Sequence, residues 1–287
     1  TKAGSNDMKL FEVMKPGIQT TIQDHGRFGY RANGVPISGP MDRFAYTMLN
    51  NLLGNKPSSA VLEIWLGGLE LTCLSNCEIA FTGARVNIHV DGTTQEMWKV
   101  IRVKAGQMVK LGQAEEGIIS YLGIRGELEV EKWLGSASVY SKGKMGRPFK
   151  KGDTIEGTPI RGSIQGFSRL QRPVYSQKLT VEIWPSVHRS LFKNENFEGP
   201  YKLKSGDRMG YLFEGSPIEF HSSRDILSEA VEPGTIQVNN KGQLIVLMAD
   251  AQTTGGYATL GKIVEADLWK VAQLRPGGEI RLRDRQK

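Results

Sequence analysis

Residues 250–257 read Asp-Ala-Gln-Thr-Thr-Gly-Gly-Tyr and follow the apolar run Leu-Ile-Val-Leu-Met at 244–248. A buried strand that stops in a crowd of hydrogen-bonding side chains positions polar groups at its end, which is how rigid elements build sites. The double glycine lets backbone approach a ligand or another chain closely. A polar hairpin turn is the competing reading of the same residues. A second concentration, Gln23-Asp24-His25-Gly26-Arg27, sets an acid beside an imidazole and near a guanidinium. Such groups orient one another and shift each other's proton affinities. Arg27 could grip a carboxylate bidentately, or pair with Asp24 or Asp42 to pin a glycine-rich loop.

A third group is Ser205-Gly206-Asp207-Arg208-Met209-Gly210-Tyr211, where Asp207 and Arg208 could bond each other or a ligand. A fourth is Gln237, an amide between the apolar neighbours Ile236 and Val238. A buried amide must find partners, so Gln237 either braces a loop or reads a ligand. His89, His188 and His221 read as structural. No histidines stand at metal-ligand spacing, so no metal is expected. The sequence has no Gly-x-Ser-x-Gly elbow, no Gly-Lys-Ser/Thr phosphate loop and no Met-Lys-Met biotin-attachment signature.

These groups must be carried by short strands. The 34 glycines fall between brief apolar runs, which suits many strands and few helices. Two helices are expected. One spans 41–53, with Pro40 in its first turn and Gly54 at its end; the other spans 265–275 and stops at Pro276-Gly277. A short turn is expected near 186–192. The halves share a weak ordered pattern, such as Lys-Gly-Asp-Thr-Ile at 151–155 and Pro-Gly-Gly-Glu-Ile at 276–280. That suggests two β-rich units, 8–165 and 166–287, joined around 163–176. Residues 1–7 read as an appended remnant with no signal-segment pattern, with Met8 as the native start.

The 39% hydrophobic and 23% charged content makes the chain globular rather than disordered. No apolar run approaches the roughly 20 residues of a membrane span, so no membrane is expected and the cytoplasm is the expected compartment. Cys73 and Cys77 read as buried reduced thiols. The net charge of +7 favours anionic ligands or an acidic partner protein. The basic residues are scattered without a recognition motif, so nucleic acid is not expected.

Taken in order, several stretches carry a resemblance. They are Gln23-Asp24-x-Gly26-Arg27-x-Gly29, Gly34-Val35-Pro36-x-Ser38-Gly39-x-Met41-Asp42, Asn51-x-x-Gly54-Asn55, Leu62-Glu63, Asp207-Arg208-Met209-Gly210, Gly234-x-Ile236-Gln237-Val238 and the 250–257 stretch. Together, over about 8–282, the chain resembles the C-type subunit of the prokaryotic 5-oxoprolinase, the KipA or allophanate hydrolase subunit 2 family. Arg125-Gly126 stands where family members often carry Gly-Gly, and 209–214 lacks an arginine often found there.

The resemblance implies a mainly β fold of two cyclophilin-like β-barrel subdomains with a few short helices. It implies an ATP-dependent amide (lactam) hydrolase complex that opens 5-oxo-L-proline to L-glutamate, whose other members are an A-type and a KipI-like B-type subunit. It also implies two alternatives. One is a biotin-dependent carboxyltransferase component of the urea or allophanate type; the other is a KipI-binding regulatory protein without catalysis. Under the enzyme reading, Asp250, Gln252, Thr253 and Tyr257, with Gln237, would hold the amide. Arg27 or Arg208 would bind the substrate carboxylate, and Asp24, His25 or Asp250 would move protons.

Overall fold

The computed structural model describes residues 8–160, 170–193, 196–221 and 225–285. The expected appended remnant 1–7 and half of the expected joining stretch, 163–169, lie outside them. The chain divides into two compact units. The first holds the chain up to Arg27 and Asp42–Val174; the second holds Phe28–Met41 and Tyr175 onward. The division is therefore not a single cut, because 28–41 goes with the C-terminal unit.

The first unit contains β1 (Met8–Pro16), β2 (Gln19–Gln23), α1 (Arg43–Leu53), β3 (Val61–Trp65), β4 (Leu69–Cys73), β5 (Cys77–Arg85) and β6 (Ile88–Val90). It continues with β7 (Thr93–Gln95), β8 (Val100–Val103), β9 (Met108–Leu111), β10 (Glu116–Ile124), β11 (Gly126–Glu129) and β12 (Thr154–Pro159). One sheet runs β11-β12-β1-β4-β9-β6-β7 and the other β2-β3-β10-β5-β8. Alternation builds the space between them. In β4, Leu69, Leu71 and Cys73 are buried while Glu70 and Thr72 are half-buried. They join Leu10, Val13, Ile64, Phe81 and Leu122 from both sheets in one core. β10 is buried along almost its whole length because α1 packs against it. Gly123 permits that approach: a Cβ there would lie 2.6 Å from Leu53 Cδ1.

The expected first helix is present but starts later. Pro40 lies outside it, and Asp42 is the N-cap, its carboxylate accepting from Ala45 N at 2.8 Å. Gly54 closes it in the left-handed region at φ 65°. The expected end of the second helix is also too long. α2 (Glu265–Ala272) stops at Gln273, before Pro276.

The second unit contains β13 (Lys178–Pro185), β14 (Tyr201–Gly206), β15 (Gly210–Glu214), β16 (Asp225–Ala230), β17 (Thr235–Val238), β18 (Leu244–Leu247), β19 (Thr254–Tyr257), β20 (Thr259–Ile263) and β21 (Glu279–Asp284), with α2 between the last two strands. Seven strands close a barrel in the order β13-β20-β17-β18-β15-β14-β21, sealed by the parallel pair β13–β21. The expected short turn is a 3-10 helix, Val187–Leu191, capped by Ser186. β16 and β19 form a separate two-stranded ribbon. The mainly β architecture with few helices is what the sequence leads one to expect. Among the described residues, no helix is long and apolar enough to cross a membrane.

Candidate active site at a strand end of the barrel

β18 is apolar because both its faces are covered: Leu244 and Val246 are fully buried on one face, and on the other Leu247 packs with Val231, Ala251 and Ile245. Beyond it the chain meets Arg208, two residues before β15. Arg208 Nε and Nη2 each lie 2.9 Å from an Asp250 carboxylate oxygen, a bidentate pair with both side chains buried. The backbones are joined too, Asp250 N donating to Arg208 O at 2.7 Å. Arg208 Nη2 also donates to Gly39 O at 2.7 Å. Asp207, exposed beside it, accepts from the amides of Met209 and Gly210 and shapes the β14–β15 turn.

The same strand end gathers the 28–41 segment. Ser38 N donates to Ala249 O at 3.1 Å, and Arg31 donates to Val231 O. Ser38 is 2% exposed, sits at φ 59°, and its hydroxyl has no hydrogen-bond partner among the described residues. A non-glycine residue in the left-handed region is strained, and such strain concentrates at functional sites. Ser38 belongs to a family-bearing stretch, but its own role could not be read from the sequence, since neither its φ nor its burial is visible there.

Gln237, 1% exposed, accepts from Gln252 Nε2 at 3.3 Å. Its own Nε2 has no partner among the described residues and packs over Gly255, where a Cβ would lie 2.3 Å away. Thr253 is buried, and its carbonyl accepts from Val231 N at 3.0 Å. The competing turn reading of this stretch gives way to strand at its end: Thr254–Tyr257 forms β19, and Tyr257 stands opposite Asp225. Tyr257 is about a third exposed, at 36%. Arg208, Gln237, Asp250, Gln252 and Thr253 are thus gathered around one strand end, with Ser38 added.

Asp24, His25 and Arg27 belong to the first unit. Asp24 is buried and accepts from Gly26 N, Ser136 Oγ, Ala137 N and Ser138 Oγ at 2.6–3.0 Å. Arg27 is fully buried, donating to Trp133 O at 3.0 Å and Ser138 O at 2.7 Å. These contacts pin the 133–138 loop to the end of β2. His25 is exposed. The same unit buries Glu63, Asp42 and Tyr121 together. Tyr121 donates to Glu63 at 2.8 Å and accepts from Asp42 N at 2.8 Å. Burial, then the two nearby carboxylates, holds the Tyr121 phenol well above its ordinary range.

His188 is held between Ser186, Thr259 and Glu229, its Nδ1 lying 3.0 Å from Thr259 Oγ1. That network ties the 3-10 turn to β20. Arg125, which departs from the family pattern, is mostly buried and bridges to Glu78 at 2.8 Å. Among the described residues, no group of three or more His, Cys, Asp or Glu side chains could hold a metal ion.

Phosphate groups favour helix N-termini with free amides. Here α1 is capped by its own Asp42 carboxylate, and α2 carries Glu265 and Asp267 in its first turn. Neither helix start fits a nucleotide's phosphates.

Residues 33–284 match the family model for the carboxyltransferase domain, subdomains A and B, and the chain belongs to that family. Within it, the C subunit of 5-oxoprolinase from Escherichia coli (strain K12) is 34% identical over 281 residues, spanning 94% of this chain and 90% of that protein. Urea amidolyase of Saccharomyces cerevisiae is 29% identical, over 94% of this chain but 16% of that protein. The crystal structure of the K. lactis urea amidolyase superposes with a TM-score of 0.89 at 27% identity, covering 99% of this chain and 19% of that one. TTHA0988 gives a TM-score of 0.86 at 30% identity, covering 96% of this chain and 56% of that one. The chain therefore spans nearly all of the 5-oxoprolinase relative, about half of TTHA0988 and under a fifth of the amidolyases.

Proposed function

We propose that this chain is the C-type subunit of a 5-oxoprolinase complex that opens 5-oxo-L-proline to L-glutamate at the expense of ATP, acting in the cytoplasm with an A-type and a KipI-like B-type subunit. The observation that carries this reading is the match to a C-type relative over 94% of this chain and 90% of that protein.

The strand-end cluster supplies this chain's part in the chemistry. A lactam offers one carbonyl acceptor and one N–H donor in a fixed ring edge. Ser38 Oγ and the Gln237 amide are buried polar groups still lacking partners among the described residues, so an amide edge that pairs with them recovers hydrogen bonds the folded chain leaves unmade. Gln252 holds Gln237 in place, and Thr253 and Tyr257 form the wall beside it. The Arg208–Asp250 pair fixes the strand end on which these groups sit. With both carboxylate oxygens engaged, Asp250 acts in this reading as a positioning residue. We assign the nucleotide step to another member of the complex, because the acidic helix starts of this chain suit phosphate poorly.

The second reading is biotin-dependent carboxyl transfer, and the likeness to the urea amidolyases favours it. A ureido ring presents the same C=O and N–H edge to the same residues, and carboxybiotin would supply an activated carboxyl group. The two readings separate in one assay. In an assembled complex, glutamate formation from 5-oxoproline is expected to be insensitive to avidin. It is also expected to fall about tenfold or more in kcat/KM for Ser38→Ala and for Gln237→Met. Avidin inhibition would move the assignment to the second reading. Wild-type kinetics in both variants would remove the cluster from the site.

A further inference from the structure

The first unit carries a pocket of about 630 Å³ that the reading above does not use. Val86, Met97, Trp98 and Leu170 supply its apolar lining, and Arg85 and Arg172 its cations. Trp98 is 1% exposed, yet its indole N–H has no acceptor among the described residues. An indole can only donate, so only an acceptor can satisfy it. Trp98 also sits at φ 59°, an outlier for a bulky side chain that persists only where the surroundings over-determine it. They do so here: Trp98 N donates to Phe81 O at 2.8 Å, Leu170 N donates to Trp98 O at 2.8 Å, and the ring packs against Phe44 with centroids 6.3 Å apart.

Both guanidiniums of the pocket are ion-paired at its edge. Arg85 lies 3.2 Å from Glu115 and 3.8 Å from Glu116, and Arg172 Nη1 lies 2.9 Å from Glu116. Each guanidinium has five N–H donors, more than those bridges use. The one carboxylate lining the pocket, Glu96, lies 3.8 Å from Lys99. The lining thus presents two guanidiniums against one acid, over an apolar wall with a buried donor.

We infer that this pocket binds a small monocarboxylate with an apolar body, the apolar part against Val86, Met97 and Leu170 and the carboxylate accepting from the Trp98 indole N–H and the Arg85 and Arg172 guanidiniums. The site is independent of the strand-end cluster, which lies in the other unit.

Phenylacetate is the probe, and its neutral isostere phenylacetamide the control. Both are titrated against the full chain by ligand-observed NMR. Phenylacetate binds saturably, and phenylacetamide at least about tenfold more weakly, as expected when a charge-assisted hydrogen bond is lost. Trp98→Phe keeps an aromatic ring, removes the donor and weakens phenylacetate about tenfold. Arg172→Gln, at a partly exposed position, weakens it similarly and covers the case in which Trp98→Phe does not fold. The inference is overturned by an absence of saturable phenylacetate binding, by equal binding of acid and amide, or by unchanged affinity in a folded Arg172→Gln chain.

Discussion

Asp250 gives both carboxylate oxygens to Arg208 in a buried, bidentate pair. Removing one partner leaves a buried charge alone, so Asp250→Ala should cost about 3–5 kcal/mol in denaturant unfolding, and Arg208→Met with Asp250→Leu together much less. Ser38 tests the opposite sign. Relieving a left-handed non-glycine residue should let Ser38→Gly gain roughly 1 kcal/mol of stability while losing activity, which is the signature of strain kept for a ligand contact. Asp250, Gln237, Gln252 and Arg208 were each legible as site candidates, but the Arg208–Asp250 pair was not. Its two members stand 42 positions apart in the chain, and only the closed barrel brings them together. Ser38 was legible only as part of a stretch, because an unsatisfied hydroxyl is a property of the packed chain.

At the scale of elements, α1 and β10 share the burial that anchors the first unit. Leu49 is fully buried, and Leu49→Ala should cost about 2–5 kcal/mol by thermal or chemical unfolding. Asp42→Ala, which removes the cap of α1, should cost about 1 kcal/mol. The helix was readable from its apolar spacing and Gly54, but its start was not, since proline before a cap and proline in a first turn look alike in sequence. β19 was missed for a related reason: a Thr-Thr-Gly-Gly run has turn composition, and only the partner strand β16 makes it extended. Cys73 and Cys77, in β4 and β5, are free and buried, and burial pushes each thiol up to about 12. Unfolded thiols titrate at about 8.5. The folded state therefore holds these protons while the unfolded state loses them. Their stabilisation is complete below that unfolded value and is lost as pH rises toward about 12. A thiol is neutral when protonated and charged when it loses its proton. Raising its folded value above the unfolded one makes the unfolded chain release protons first, so alkaline pH favours unfolding. Denaturant midpoints should fall between pH 8 and pH 10 by linkage, less steeply in a Cys73→Ala/Cys77→Ala chain, and iodoacetamide should leave both thiols of the native protein unmodified.

For the whole molecule, the two-unit organisation hides a crossover that composition could not reveal. Residues 28–41 precede most of the first unit yet belong to the second, and they deliver Ser38 and Gly39 to Ala249 and Arg208. The internal likeness of the halves is correspondingly loose. Glu63, five residues before Gly68, is fully buried in β3, whereas Glu229, five residues before Gly234, is exposed on the ribbon strand β16. The ordered motifs pointed to the family that the match over 33–284 identifies, but motifs alone say nothing about which member of a complex performs which step. The most direct test is glutamate release from 5-oxoproline and ATP by purified A-type and B-type subunits, measured with and without this chain. Turnover is predicted only when the chain is present, with ADP formed in step with glutamate. Full turnover from the A-type and B-type pair alone would contradict the proposed role.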